Sequence, residues 1–220
     1  MPSRTSIDIL KMCIEINKIK EKNSFNAEES AYFAYEWIRK NIELNCEDDQ
    51  KQEQSPQNVY TWGFGTSYGI SNLFKTIGNH LQLNIDLISG KVRTNTRNGL
   101  YLVNITDFVW NYIEINGTVY LIDASFARGY CIDKKLYSLY SIIYFGAKPE
   151  IFIYSHFPDD NKWQLLNKSV SYDEFETKAI LSDYFYEIGF RTISPDNATI
   201  NGEDNIKITL EYNKNIWNII

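Results

Sequence analysis

With 220 residues, 44% of them hydrophobic and 15% aromatic, the chain can bury a full core as one domain or as a domain with a small appendage, and general disorder is excluded. Its net charge of −6 and pI near 5.1 argue against nucleic acid as a partner, because binding a phosphate backbone needs a basic surface. No apolar run approaches the roughly 20 residues of a membrane helix, and charges interrupt every apolar run near the amino terminus. Neither a membrane span nor a signal peptide is expected, and the expected setting is cytoplasmic.

The first 24 residues carry a helical pattern with Ile7, Leu10, Ile14 and Met12 on one side and charges on the other, an amphipathic lead-in helix. A stronger helix follows over Ala27 to Glu43. Asn26 is its N-cap, Glu28 and Glu29 lie where the dipole favours acids, and Ala31, Ala34, Ile38 and Ile42 form a stripe beside Trp37. Residues 46–58, CEDDQKQEQSPQN, read as an exposed polar loop. Glycines 63, 65 and 69 then lead into a helix beginning near Ser67, buried through Ile70, Leu73, Phe74, Ile77 and Leu81.

Asn84 to Val92 reads as a strand and residues 94–107 as a polar connection. Phe108 to Phe126, FVWNYIEINGTVYLIDASF, is a β-hairpin, since two aromatic and β-branched runs flank Asn116-Gly117. Pairing Ile115 with Thr118 sets Trp110 opposite Asp123, so Phe108, Trp110, Tyr112, Leu121 and Asp123 share one face, and Val109, Ile113, Ile115, Tyr120 and Ile122 the other. Both faces are largely apolar, which places the hairpin within a sheet covered on both sides. There the lone carboxylate of Asp123 needs a partner.

Leu136 to Phe145 fits helix or strand alike, Pro149 to Ile153 a short helix, and Ser171 with Glu174 a capping box for a helix over about residues 172–179. From Tyr184 onward, strands alternate with turn clusters, a small β tail. The expected layout is therefore a lead-in helix over 1–25, a main domain over 26–182 and a β-rich extension over 183–220. Cys13, Cys46 and Cys131 are odd in number and scattered, and read as reduced thiols. Asn104, Asn116, Asn167 and Asn197 head N-x-[ST] triplets, read as chance matches in an Asn-rich chain.

Taken together, SYGISNLF at 67–74, FVWNYI at 108–113, YLIDAS at 120–125, HFPDDNKWQLL at 156–166 and YDEFE at 172–176 resemble, in order, the transglutaminase-like superfamily. The branch most similar contains the kyphoscoliosis peptidase and the fungal cytokinesis proteins. The resemblance implies an α+β, papain-like fold of helices packed on an antiparallel sheet. It also implies a Cys–His–Asp triad, with the Cys at the helix start, the His on the first hairpin strand and the Asp on the second.

Here Ser67 stands at the Cys position and Phe108 at the His position, and only Asp123 remains. Phenylalanine accepts no proton, and a serine hydroxyl, a far weaker acid than a thiol, needs an adjacent base. General acid–base catalysis alone contributes about 10²–10⁴-fold, so acyl transfer of the family type is not expected. Ser67 also reads simply as a helix N-cap, Phe108 as core filling, and Asp123 as an acceptor for Trp110, tyrosine hydroxyls or backbone N–H groups. Of the two histidines, His80 lies roughly 20 Å along the Ser67 helix at 1.5 Å per residue, and His156 belongs to a structural loop motif. Cys131 lacks the glycine turn and helix of a nucleophile.

No C-x-x-C or H-x-x-x-H spacing offers a metal site, and Gly90-Lys91 is no phosphate loop, so neither metal nor cofactor is expected. The reading is a catalytically inactive transglutaminase- or peptidase-like module that binds a protein or peptide, in a cytoskeletal, cytokinetic or scaffold role implied by the resemblance. Its candidate groove is lined by Trp62, Tyr68, Phe108 and Trp110, unless those aromatics only fill a collapsed site. The alternative is an acyl-transfer enzyme or hydrolase using Ser67 with a base from outside the family pattern.

Overall fold

A computed structural model describes residues 8–47, 53–95, 103–132, 134–138, 140–202 and 205–212. Two capped helices open it. Helix α1 (Ile9–Asn23) starts where the Asp8 carboxylate accepts from the Leu10 N–H at 2.8 Å, and it buries Ile9, Met12, Cys13 and Ile16. That set is an unbroken i, i+3, i+4, i+7 stripe. Of the expected face, Met12 is buried but Leu10 and Ile14 are exposed, and Ile7 lies outside the described residues. Helix α2 (Ala27–Asn41) carries the capping box of Asn26 and Glu29 and buries Ala31, Ala34, Tyr35, Trp37 and Ile38.

Strand β1 (Glu43–Leu44) pairs in parallel with β2 (Phe64–Gly65). Between them lies a helix that the polar loop reading missed, α3 (Pro56–Trp62). Ser55 caps it, Pro56 opens its first turn, Gly63 closes it at φ 78°, and Val59 and Tyr60 hold it in the core. Helix α4 (Ser67–His80) follows, with the Thr66 side chain accepting from the Gly69 N–H as its N-cap. The expected cap, Ser67, is the first helical residue instead.

Strands β3 (Asn84–Asn95), β4 (Val103–Ile115) and β5 (Thr118–Ile122) form the centre of a five-stranded sheet. A 3-10 turn at Phe126–Arg128 leads to the hairpin of β6 (Gly129–Ile132) and β7 (Lys135–Ser138). The ambiguous stretch thus supplies one strand here and ends in another, β8 (Phe145–Ala147). Helix α5 (Pro149–Phe152), β9 (His156–Pro158), a 3-10 turn at Asn161–Gln164, and helices α6 (Tyr172–Thr177) and α7 (Asp183–Glu187) come next. Strands β10 (Phe190–Ser194) and β11 (Thr209–Tyr212) end the described chain as a separate two-stranded sheet. The tail therefore begins with a helix, not a strand, because Ser182 caps residues that were read as extended.

The main sheet has order β8-β5-β4-β3-β9 and is antiparallel throughout. The β4–β5 turn is the expected one, with Asn116 at φ 52°, Gly117 at φ 77° and Ile115 opposite Thr118. The stretch read as a polar connection adds ladder at both its ends, for β3 and β4 pair from Asn84–Glu114 out to Asn95–Val103. Helix α4 covers one face of the sheet. Asn111 donates to the Ser71 carbonyl at 3.1 Å, and a Cβ on Gly78 would lie 2.4 Å from Ile85 Cδ1. Phe126, Tyr144 and Phe152 cover the other, packing on Trp110 and His156.

Two long-range ties complete the frame. Cys46 and Cys131 form a disulfide across 85 residues, with Cα atoms 5.4 Å apart, which corrects the reading of three reduced thiols. Only Cys13 is free, and burial pushes its thiol up to about 11. Beside the disulfide, Arg128 pairs with Glu43 at 2.9 Å and donates to the carbonyls of Arg39 and Lys40. The second tie is Arg93 on β3, whose buried guanidinium donates to the carbonyls of Tyr154, Glu176, Lys178 and Ala179 and lies over the Phe175 ring. Burial lowers its pKa to about 10, which leaves it charged at neutral pH.

Candidate functional site

Ser67 opens α4, Asp123 follows the end of β5, and Phe108 lies on β4 between them in the sequence. Past Ile122, β4 has lost its β5 neighbour while β3 continues along its other edge, so the backbone groups of Val109 on the β5 side need other partners. Ser67 Oγ accepts from the Val109 N–H at 3.2 Å, and the Ser71 hydroxyl donates to the Val109 carbonyl at 2.9 Å. Two serines one helical turn apart thus replace a missing strand, and Ser67 lies against the residue that follows Phe108. Phe108 points to the other face, half-buried and edge-on to Phe126 at 5.6 Å.

Continuing the Asn111–Ile122 register by one residue places Trp110 opposite Asp123, as the sequence predicts. Asp123 is 0% exposed and fully engaged. Its Oδ1 accepts from the Ser125 N–H (2.8 Å), the Ser125 hydroxyl (2.6 Å) and the Phe126 N–H (2.9 Å), while Oδ2 meets His156 Nε2 at 3.0 Å. The expected backbone donors are present. Trp110 is not a donor, and its Nε1 has no partner among the described residues.

His156 is the residue that sequence reasoning set aside. In register Val92 pairs with His156, and Gly90 pairs with both Pro158 and Phe108, so the imidazole rises on the same face as Phe108, Trp110 and Asp123. It is 1% exposed, stacked on Phe152 at 3.9 Å and edge-on to Trp110 at 5.1 Å. A carboxylate at Nε2 favours the tautomer with its proton there, which leaves Nδ1 to accept from the Ser155 hydroxyl at 2.7 Å. A signal for this pairing was available. A buried acid in a sheet needs a cation or donor, and the chain offers only two histidines, one of them on the far end of α4.

Next to this cluster, Asp183 accepts from the Tyr144 hydroxyl at 2.8 Å, and burial holds its carboxyl above the usual aspartate range. Tyr144, Ser155, Asp183 and Tyr186 line a cavity of about 20 Å³, room for one water.

The candidate groove is only partly open. Trp62 is half-buried and stacks on Phe64 at 5.8 Å, and Phe64 and Tyr68 are exposed beside the Ser67 end of α4. Trp110, 1% exposed, lies beneath His156 and Phe152 and lines no open surface, which corrects its place among the groove residues. Cys131 is in the disulfide and His80 is exposed, so neither meets Ser67 as nucleophile or base. Among the described residues, no group of three or more His, Cys, Asp or Glu side chains could hold a metal ion, and no helix is long and apolar enough to cross a membrane.

No family model matches the chain. The human protein named kyphoscoliosis peptidase is 33% identical over 107 residues, covering 46% of this chain and 16% of that protein. The Lim and transglutaminase domain protein ltd-1 of Caenorhabditis elegans is 28% identical over 174 residues, 70% of this chain and 23% of its own length. Its relatives are transglutaminase-like, of the kyphoscoliosis-peptidase branch. Hillarin of Drosophila melanogaster is also similar, 25% identical over 183 residues, 73% of this chain and 22% of that protein. The chain spans less than a quarter of the length of these relatives. The α+β architecture, with a capped helix set against an antiparallel hairpin, is consistent with a transglutaminase-like core.

Proposed function

We propose that this transglutaminase-like domain is catalytically inactive and serves as a protein- or peptide-binding module. One observation carries the reading. The only imidazole on the site face, His156, is buried between Asp123 and Ser155, while Phe108 stands where the family resemblance places the base. The Ser67 hydroxyl lies against a backbone N–H and has a structural task. The exposed aromatics Phe64 and Tyr68, with Trp62 behind them, form the surface offered to a partner. A cytoskeletal or cytokinetic scaffold in the cytoplasm is the setting that the family resemblance suggests for it.

The acyl-transfer alternative requires a base for Ser67, and the hydroxyl within reach of His156 is that of Ser155 instead. Native protein and the Ser67→Cys/Phe108→His double variant are to be assayed for amine incorporation, glutamine deamidation and peptide cleavage, alongside fluorophosphonate labelling. The expected result is no turnover and no labelled serine in the native chain. Native turnover, or labelling at Ser67 or Ser155, overturns the inactive reading. For binding, peptides selected from a display library on native protein are expected to lose affinity at least about tenfold for Tyr68→Ala; selection that is indifferent to Tyr68 and Trp62 removes the groove.

A further inference from the structure

Among the described residues, strand β11 has one unpaired edge, and the contacts of its side chains run to β10, Tyr212 to the Phe190 ring at 5.7 Å and Glu211 accepting from the Thr192 hydroxyl at 3.2 Å. Every residue from 205 to 212 is exposed, and among the described residues β11 pairs only with β10. Along β11 and the residues just before it, large apolar side chains alternate: Ile206 is 47% exposed, Ile208 54%, Leu210 44% and Tyr212 57%, with Leu210 and Tyr212 in the strand and Ile206 and Ile208 preceding it. Soluble proteins usually blunt such an edge with charge, proline or a cover, because it is a template for pairing with another chain.

The segment Ile206-Lys207-Ile208-Thr209-Leu210-Glu211-Tyr212 complements itself. Laid antiparallel on a second copy about a two-fold axis at Thr209, it sets Ile208 opposite Leu210, Ile206 opposite Tyr212, and Lys207 opposite Glu211. All pairs then keep apolar with apolar and positive with negative. Moving the axis to Ile208 sets Lys207 against Thr209 and loses both ion pairs. Moving it between two residues sets apolar against polar at every position.

We propose that the chain forms a two-fold dimer through β11 and the Ile206–Ile208 segment before it, which pairs as added strand in the dimer, so that the two β10–β11 units join edge to edge in one antiparallel sheet. A two-fold contact uses the same patch on both copies, and a strand that complements itself about its own centre meets that requirement. Four apolar residues from each copy form one stripe on a single face, and Lys207–Glu211 pairs flank Thr209 on the opposite face. The dimer carries two copies of the candidate binding surface, so a partner with repeated epitopes is held by avidity.

The test is the mass of the 220-residue chain across a concentration series, by sedimentation or by light scattering after size exclusion. The native chain is expected to pass from 25.7 kDa toward twice that mass. Lys207→Glu sets like charges opposite each other at both symmetry-related positions, and it raises the dimer dissociation constant by about tenfold or more. Glu211→Lys does the same, and the combined Lys207→Glu/Glu211→Lys chain returns near the native value. Because both residues are exposed, circular dichroism of all four chains is expected to coincide. A native chain that stays monomeric at every concentration overturns the proposal and leaves the edge to a cover from within the chain or to another protein. A dimer indifferent to both reversals also overturns it, by placing the contact on a different surface.

Discussion

Removing the His156 imidazole strands Oδ2 of Asp123 without a donor and opens a hole among Trp110, Phe126, Tyr144 and Phe152. Breaking one side of a buried polar pair costs roughly 3–5 kcal/mol, whereas the Ser67 hydroxyl supplies a single hydrogen bond worth about 1 kcal/mol. In urea denaturation, His156→Ala is therefore expected to lose several times the stability lost by Ser67→Ala. Equal losses would mean that the pair adds little to the fold. Asp183 behaves in the opposite sense. Its folded pKa is raised by burial above the ordinary 3.8, so its contribution is fully present below that pH and fades as pH rises through the folded value. At pH 7 the buried charge is a cost. Asp183→Asn, which keeps an acceptor for the Tyr144 hydroxyl, is expected to raise the melting temperature at pH 7 and to leave it unchanged near pH 3. A fall at pH 7 would show that the carboxylate is held by more than desolvation allows.

Elements whose instructions are local were legible in the sequence, and those set by distant neighbours were not. Asn116-Gly117 specified the β4–β5 turn and, through the alternation of the strands, the face of Asp123. Asn26 with Glu29 and Ser171 with Glu174 marked helix starts that the structure keeps. Helix α3 was hidden because its polar residues outnumber the two, Val59 and Tyr60, that anchor it. The length of β3 and β4 was hidden because their outer halves are polar and owe their form to pairing with each other. Gly90 is the clearest case of a residue explained only by its surroundings. A Cβ there would lie 2.2 Å from the Phe157 carbonyl and 2.5 Å from the Trp110 ring, so this glycine lets Trp110 cross β3 beside β9. Gly90→Ala is expected to cost about 1–3 kcal/mol through overpacking and to shift tryptophan fluorescence. An unchanged unfolding midpoint would show that β9 yields without penalty.

Across the whole molecule, the order of motifs carried the fold, while the partners of Asp123 and of the cysteines had to be seen in space. Cys46 and Cys131 are 85 residues apart, and no spacing rule joins them. The bridge makes a countable prediction: under denaturing conditions a maleimide is expected to add one label to unreduced protein and three after reduction, one for each cysteine. Three labels without reduction would return the chain to the reduced set first inferred for it. Arg93 has a mechanical consequence. The tail sheet is tied to the segment at 178–179 by the Lys178–Asn197 bridge and by the Ala179 N–H to the Asp196 carbonyl, and Arg93 holds the carbonyls of those same two residues from β3. Tension applied at the tail therefore reaches β3 through this guanidinium, alongside the hydroxyl of Tyr154 on Asp196 and that of Tyr144 on Asp183, and under stretching these side-chain tethers are expected to part before the main sheet shears.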